Sequence, residues 1–143
     1  MQDAKVWGPH YWFFMMSVAM TYSDFPNDII KRKYYDFYMN LPLFIPNKEM
    51  AKTMLTMLDS YPLTPYLSSK DSLIRWVVFI HNKVNTMIGK PNISVDEAIK
   101  NYMDEHMPKP LYLHQELKIK RYYIHVAFIL LCLFAIYWNL DKM

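Results

Sequence analysis

Apolar residues recur along most of the chain at the three-and-four spacing of a helix. From Asp3 to Tyr22 the positions Val6, Trp7, Tyr11, Phe14, Met15, Val18 and Met20 predict a first helix, with Pro9 early enough to be tolerated in its first turn. Ser23-Asp24-Phe25-Pro26 reads as a stop followed by a cap. Asn27 to Leu41 predicts a second helix with Ile30, Tyr34, Phe37 and Tyr38 on one side, and Pro42 and Pro46 bracket a connector. A third helix is expected from Asn47 to Asp59, where Met50, Met54, Leu55, Met57 and Leu58 are apolar. After the loop Ser60 to Pro65, a fourth is expected from Ser69 to Ile88, with the stripe Leu73, Trp76, Val77, Ile80, Val84 and Ile88. Gly89 suits the position just past that helix, and Pro91 is a common stop. Ser94 and Glu97 form a capping box for a short fifth helix through Asp104. Strand alternation and Asn-Gly hairpin signals are missing. The expected fold is all-α. An antiparallel four-helix bundle with a short fifth helix across one end would occupy residues 1–104.

The pattern then changes. Residues 105–121, with Pro108 and Pro110, read as a tether. From Tyr122 to Leu140 no residue is formally charged, about the length that a helix needs to cross a bilayer. Tyr122 and Tyr123 at one end and Tyr137 and Trp138 at the other suit the two interfaces. These features predict a transmembrane helix over 122–140 and a tail at 141–143; the alternative is a buried core helix. Lys118, Lys120 and Arg121 precede the span and Lys142 alone follows it, which places the N-terminal domain on the cytosolic side of a membrane. His125 suits a neutral interfacial residue and Cys132 a small apolar one. The first residues do not read as a cleavable signal peptide.

Composition narrows the chemistry. The 143 residues leave room for one core. Having only 2 glycines argues against a turn-rich β-sandwich, a P-loop or a Rossmann unit. A single cysteine excludes an internal disulfide framework and a cysteine-based zinc site. The net charge of +3 does not point to nucleic acid, and Lys31-Arg32-Lys33 fits the solvated face of the second helix. His10, His81, His106 and His114 lack metal-ligand pairing, so no metal is expected. Glu49, Asp96, Glu97, Asp104 and Glu105 read as helix-end charges rather than a catalytic pair.

One polar constellation interrupts the apolar stripe of the fourth helix. His81 and Asn85 are four apart and share a face, with Asn82 beside them. A buried imidazole and two carboxamides need partners. Two readings fit: a network between helices, or a flat hydrogen-bonding ligand laid across the helix, with Trp12, Trp76 or Tyr22 stacking and Lys90 suited to a phosphate.

The stretch Trp76-Val-Val-Phe-Ile-His81-Asn82-Lys-Val84-Asn85-Thr-Met-Ile-Gly89-Lys90 resembles the W-x4-H-N-x-V-N-x2-L-G-K motif of the Erv/ALR family of FAD-dependent sulfhydryl oxidases, most of all its short forms in large DNA viruses. Trp7-Gly8-Pro9-x2-Trp12 resembles the family's opening helix, and the likeness runs from Trp7 to about Tyr102. It implies the same bundle, FAD in the bundle mouth, and a flavin site lined by Trp12, Tyr22, His81, Asn82, Val84, Asn85 and Lys90. It also implies a homodimer through the first two helices.

The sequence departs from that family where its thiols belong. Asn47 and Met50 stand at the C-x-x-C positions, Val78 and Val95 where other cysteines belong, and Met16 replaces a first-helix histidine. The chemistry uses a thiolate to attack substrate and a second thiol beside the flavin. The expectation is therefore a protein that is not an enzyme, with no catalytic residue. It would be a membrane-anchored, catalytically inactive Erv/ALR-like protein with a structural or adaptor role. By resemblance to the viral branch it would be a virion component between inner membrane and capsid, with capsid or other virion proteins as partners. The alternative expectation is a flavoprotein that keeps FAD without thiol oxidase activity.

Overall fold

The computed structural model describes residues 3–107 and 112–140, except for the side chains at 112–117, 135, 136, 139 and 140. Among the described residues there are six α-helices, two 3₁₀ turns and no strand. The helices are α1 (Ala4–Met20), α2 (Asp28–Asn40), α3 (Lys48–Ser60), α4 (Lys70–Met87), α5 (Val95–His106) and α6 (Tyr112–Leu140). The chain divides into two compact units, Met1–Asp104 and Glu105–Met143.

Each helix of the first unit starts where a short polar side chain can accept from the first free amides. Asp3 accepts from Lys5 N, Asn27 from Ile30 N, Asn47 from Met50 N, Ser69 from Ser72 N and Ser94 from Glu97 N. Gly89 ends α4 at φ +71°, a left-handed conformation that glycine adopts without steric cost. Two details differ from the sequence expectation. Pro9 falls in the second turn of α1, because that helix begins at Ala4. The connectors around Pro42 and Pro65 wind into 3₁₀ turns, Leu41–Phe44 and Thr64–Tyr66, because proline near a turn's start fixes φ and needs no donor.

The core of this unit is soft and aromatic, built on Met15, Met16, Tyr22, Tyr38, Met54, Met57, Leu63, Leu73, Trp76, Val77 and Ile80. Its buried aromatics each place their polar atom on a backbone carbonyl. Tyr38 donates to Met15 O at 2.9 Å, Tyr22 to Leu67 O at 2.9 Å and Trp76 to Tyr61 O at 3.1 Å. Tyr38 also meets the Trp76 ring edge-on at 5.5 Å. These bonds tie α1 to α2, α1 to the second 3₁₀ turn, and α3 to α4, while avoiding the cost of an unpaired buried donor. Burial pushes the Tyr38 hydroxyl well above its ordinary pKa, with Tyr34 adding to the shift.

The second unit carries α6. The stretch 112–121, expected as part of a tether, is its first turns; residues 108–111 and 141–143 lie outside the described residues. Ile124, Phe128, Ile129, Leu130, Leu131, Leu133 and Phe134 are all exposed. The expected membrane span at 122–140 is not carried by the structure: among the described residues no helix is long and apolar enough to cross a membrane. Cys132 is exposed on this helix.

Candidate functional site

α1 and α4 pack along one another, and their facing residues build the site. Trp12 on α1 and His81 on α4 stack with ring centroids 4.4 Å apart and planes 25° from parallel. That spacing is face-to-face contact, with no gap for a third ring between them. A flat ligand therefore lies beside this pair or parts it. Both residues are half-buried, so the pair borders solvent. The His81 pKa falls to about 4, first because burial disfavours the cation and second because the Lys90 charge lies near. At neutral pH the ring is an uncharged aromatic surface.

α4 also places Val84 and Asn85 in the buried wall, with Asn82 half-buried and Lys90 exposed just past the helix end. Both asparagines are engaged with the chain that follows α4. Asn82 accepts from Ile93 N at 2.9 Å and donates to Ile93 O at 2.8 Å. Asn85 donates to Pro91 O at 3.2 Å. Sequence reasoning singled out these residues but missed the bonds. The signal was there in the turn residues Gly89-Lys90-Pro91-Asn92, which send the chain back along the helix.

Of the seven expected site residues, His81, Asn82, Val84, Asn85 and Lys90 lie in the last turns of α4 and just past it, with Trp12 stacked on His81. Tyr22 is placed elsewhere in kind: it is 1% exposed, its hydroxyl is taken by Leu67 O, and its ring lies 4.5 Å from Tyr34. It serves the core. Trp76, named as a stacking alternative, is fully buried and committed to Tyr61. Met16 and Val78 are buried in the core, and Val95 packs against it. Asn47 is the N-cap of α3 and receives the Met50 amide at 3.1 Å, so the first turn of that helix presents an amide and a thioether where a dithiol was sought. Tyr11, next to Trp12, donates to Phe44 O at 2.7 Å and ties the approach to α3 to the site-bearing helix.

The arrangement suits a flat, anionic ligand: an accessible aromatic pair, an apolar wall at Val84 and one cation at Lys90. Among the described residues no group of three or more His, Cys, Asp or Glu stands close enough to hold a metal ion.

Comparison with known proteins adds names to this geometry. A family model described as Erv1 / Alr family matches residues 9–106. A protein of Acanthamoeba polyphaga mimivirus, named as a probable FAD-linked sulfhydryl oxidase, is 34% identical over 104 residues, covering 72% of this chain and 73% of the relative. An African swine fever virus protein named as an FAD-linked sulfhydryl oxidase is 28% identical over 105 residues, 73% of this chain and 86% of the relative. The crystal structure of the FAD binding domain of Erv1 from Saccharomyces cerevisiae superposes with a TM-score of 0.66 at 27% identity, covering 73% of this chain and 97% of that one.

These likenesses overturn two expectations. The inactive, membrane-anchored adaptor does not stand, and neither does the expectation that the protein is not an enzyme. The viral relatives carry the names of oxidases, and no described helix can cross a membrane. A single cysteine excludes a thiol pair within the chain, but it does not decide activity.

Proposed function

Since the chain belongs to the Erv1/Alr family, we propose that it is an FAD-linked oxidase of thiols whose dithiol is supplied by the substrate. The observation that carries this reading is the Trp12–His81 stack with the charge of Lys90 bearing on it, inside the stretch matched to the family. The residues fit the group. Trp12 and neutral His81 offer flat aromatic surface, Val84 an apolar wall, and Lys90 a partner for the pyrophosphate. When bound, FAD supplies a two-electron acceptor: two thiols lose two protons and two electrons and close one S–S bond. The chain has one cysteine, so both thiols of that bond belong to another molecule. Trp12 and His81 would orient the flat group. His81 stays neutral at pH 7 and adds no charge beside it. Lys90 would hold the anionic end.

The test is direct. The purified full chain should be yellow, release a flavin band on denaturation, and consume dioxygen in the presence of dithiothreitol. A colourless chain that takes up no added FAD and consumes no dioxygen would overturn the proposal.

A further inference from the structure

The segment after α4 does not leave the helix; it runs back along it. Gly89 reverses the chain at φ +71°. Lys90 N then donates to Asn85 O at 2.8 Å, and the Asn85 carboxamide donates to Pro91 O at 3.2 Å. Thr86 Oγ1 lies 3.2 Å from Asn92 Oδ1 and 2.9 Å from Asn82 O, sharing its one hydrogen. Asn82 takes both polar groups of Ile93, at 2.9 and 2.8 Å. Three side chains on one face of α4 hold residues 91–93, and the Asn85 carbonyl holds Lys90, as one strap. The Asn82 carboxamide pairs with Ile93 as one peptide unit pairs with another across two strands.

Each carboxamide has limited capacity. Asn82 spends an acceptor site and a donor on Ile93, and both bonds are short. A residue so engaged is poorly placed to grip a ligand, yet it fixes where the strap lies. What the strap carries is Lys90. Nine residues along a straight helix would take Lys90 about 13 Å up the axis from His81. Instead Lys90 N bonds to Asn85 O at 2.8 Å, one helical turn from His81, and its charge bears on that imidazole.

We infer that Asn82 is a positioning residue: by pairing with both backbone groups of Ile93 it holds the strap that keeps the Lys90 ammonium at the Trp12–His81 site. The inference rests on the FAD reading only for what Lys90 then binds. It assigns Asn82 to the cofactor's phosphates through Lys90, not to the flavin ring through its own amide.

The test uses the full chain and two readouts. The first needs no cofactor: the His81 imidazole is titrated by NMR in wild type, Asn82→Ala, Lys90→Met and the double variant. Removing the Lys90 charge should raise the His81 pKa by about 0.3–0.5 unit. Asn82→Ala should raise it by a similar amount, and the double variant should go no higher than Lys90→Met alone. An unmoved His81 in Asn82→Ala, or shifts that add in the double variant, overturns the inference. If Asn82→Ala fails to fold, Gly89→Ala disturbs the strap from its other end, since a Cβ there meets no neighbouring atom but strains the backbone. It should give the same upward shift, and an unchanged His81 in that folded variant is equally fatal.

The second readout is affinity. Asn82→Ala should weaken FAD about tenfold, leave riboflavin unchanged because it has no pyrophosphate, and cost nothing further in the Lys90→Met background. Equal losses for FAD and riboflavin would put Asn82 on the flavin ring instead. If wild type binds neither flavin, the proposed function falls while the His81 titration still decides the role of Asn82.

Discussion

Lowering the pH should destabilise the bundle through one side chain, and replacing His81 with phenylalanine should remove that effect. The imidazole lies against Trp12, half-buried and under the field of Lys90, and its pKa drops from 6.5 to about 4. Above pH 6.5 the ring is neutral in both folded and unfolded chains and adds no pH dependence. Between 6.5 and about 4 the unfolded chain takes a proton that the folded chain refuses, so falling pH favours unfolding. Below 4 the folded ring is charged as well and the penalty is complete. At about 1.4 kcal/mol per pH unit the whole window corresponds to ~3 kcal/mol. The ring keeps contact with water, and screening reduces this to about 1–2 kcal/mol. The assay is urea denaturation at pH 7.5, 5.5 and 4.5, followed by far-ultraviolet circular dichroism, for wild type and His81→Phe. Carboxylates titrate in both proteins and cancel in the difference. Wild type should lose about 1–2 kcal/mol more than the variant between the two extremes. Parallel pH profiles would refute the assignment of a suppressed imidazole to this stack.

Three further outcomes follow from the same geometry. The double variant Asn47→Cys/Met50→Cys places two thiols one turn apart at the start of α3, where the helix N-terminus lowers thiol pKa. Dioxygen consumption with dithiothreitol should rise about tenfold or more, at a stability cost of about 1 kcal/mol for the lost cap. An unchanged rate would mean that electrons do not enter beside α3. Tyr38→Phe deletes the bond to Met15 O and should cost about 0.5–1.5 kcal/mol in urea denaturation, with no effect on flavin content. Lys90→Met should flatten the dependence of FAD affinity on ionic strength, since the removed charge is exposed and screened by salt; an identical salt slope would dissociate Lys90 from the phosphates.

The helices were legible because local chemistry decides where they start, although of their caps only Ser94 was read as one. Asn27, Asn47, Ser69 and Ser94 are short polar residues ahead of apolar periods, and each caps a helix. The fourth-helix motif was legible too, and with it the family. The partners of its polar residues were harder to read. His81, Asn82 and Asn85 stand out in the sequence as polar positions in an apolar stripe, but their spacing does not say whether a ligand or the chain itself meets them. In the structure the backbone of residues 91 and 93 meets both asparagines. For Tyr22 the spacing was equally silent. An aromatic at a helix end fits a stacking role, and only the hydrogen bond to Leu67, far along the chain, reveals it as core. The 3₁₀ turns escaped notice because proline marks a boundary without saying how the chain crosses it.

The exposed side chains of α6 carry one more consequence. Residues 128–131, 133 and 134 are all large, apolar and open. Successive positions on a helix are separated by about 100° of rotation, so these residues point in every direction around the axis. Such a cylinder has no front and no back. Whatever shields it has to encircle it, and a single flat neighbour would leave half of it wet. Its winding in water should therefore depend on concentration and on added surfactant, while the signal from the first 104 residues stays fixed.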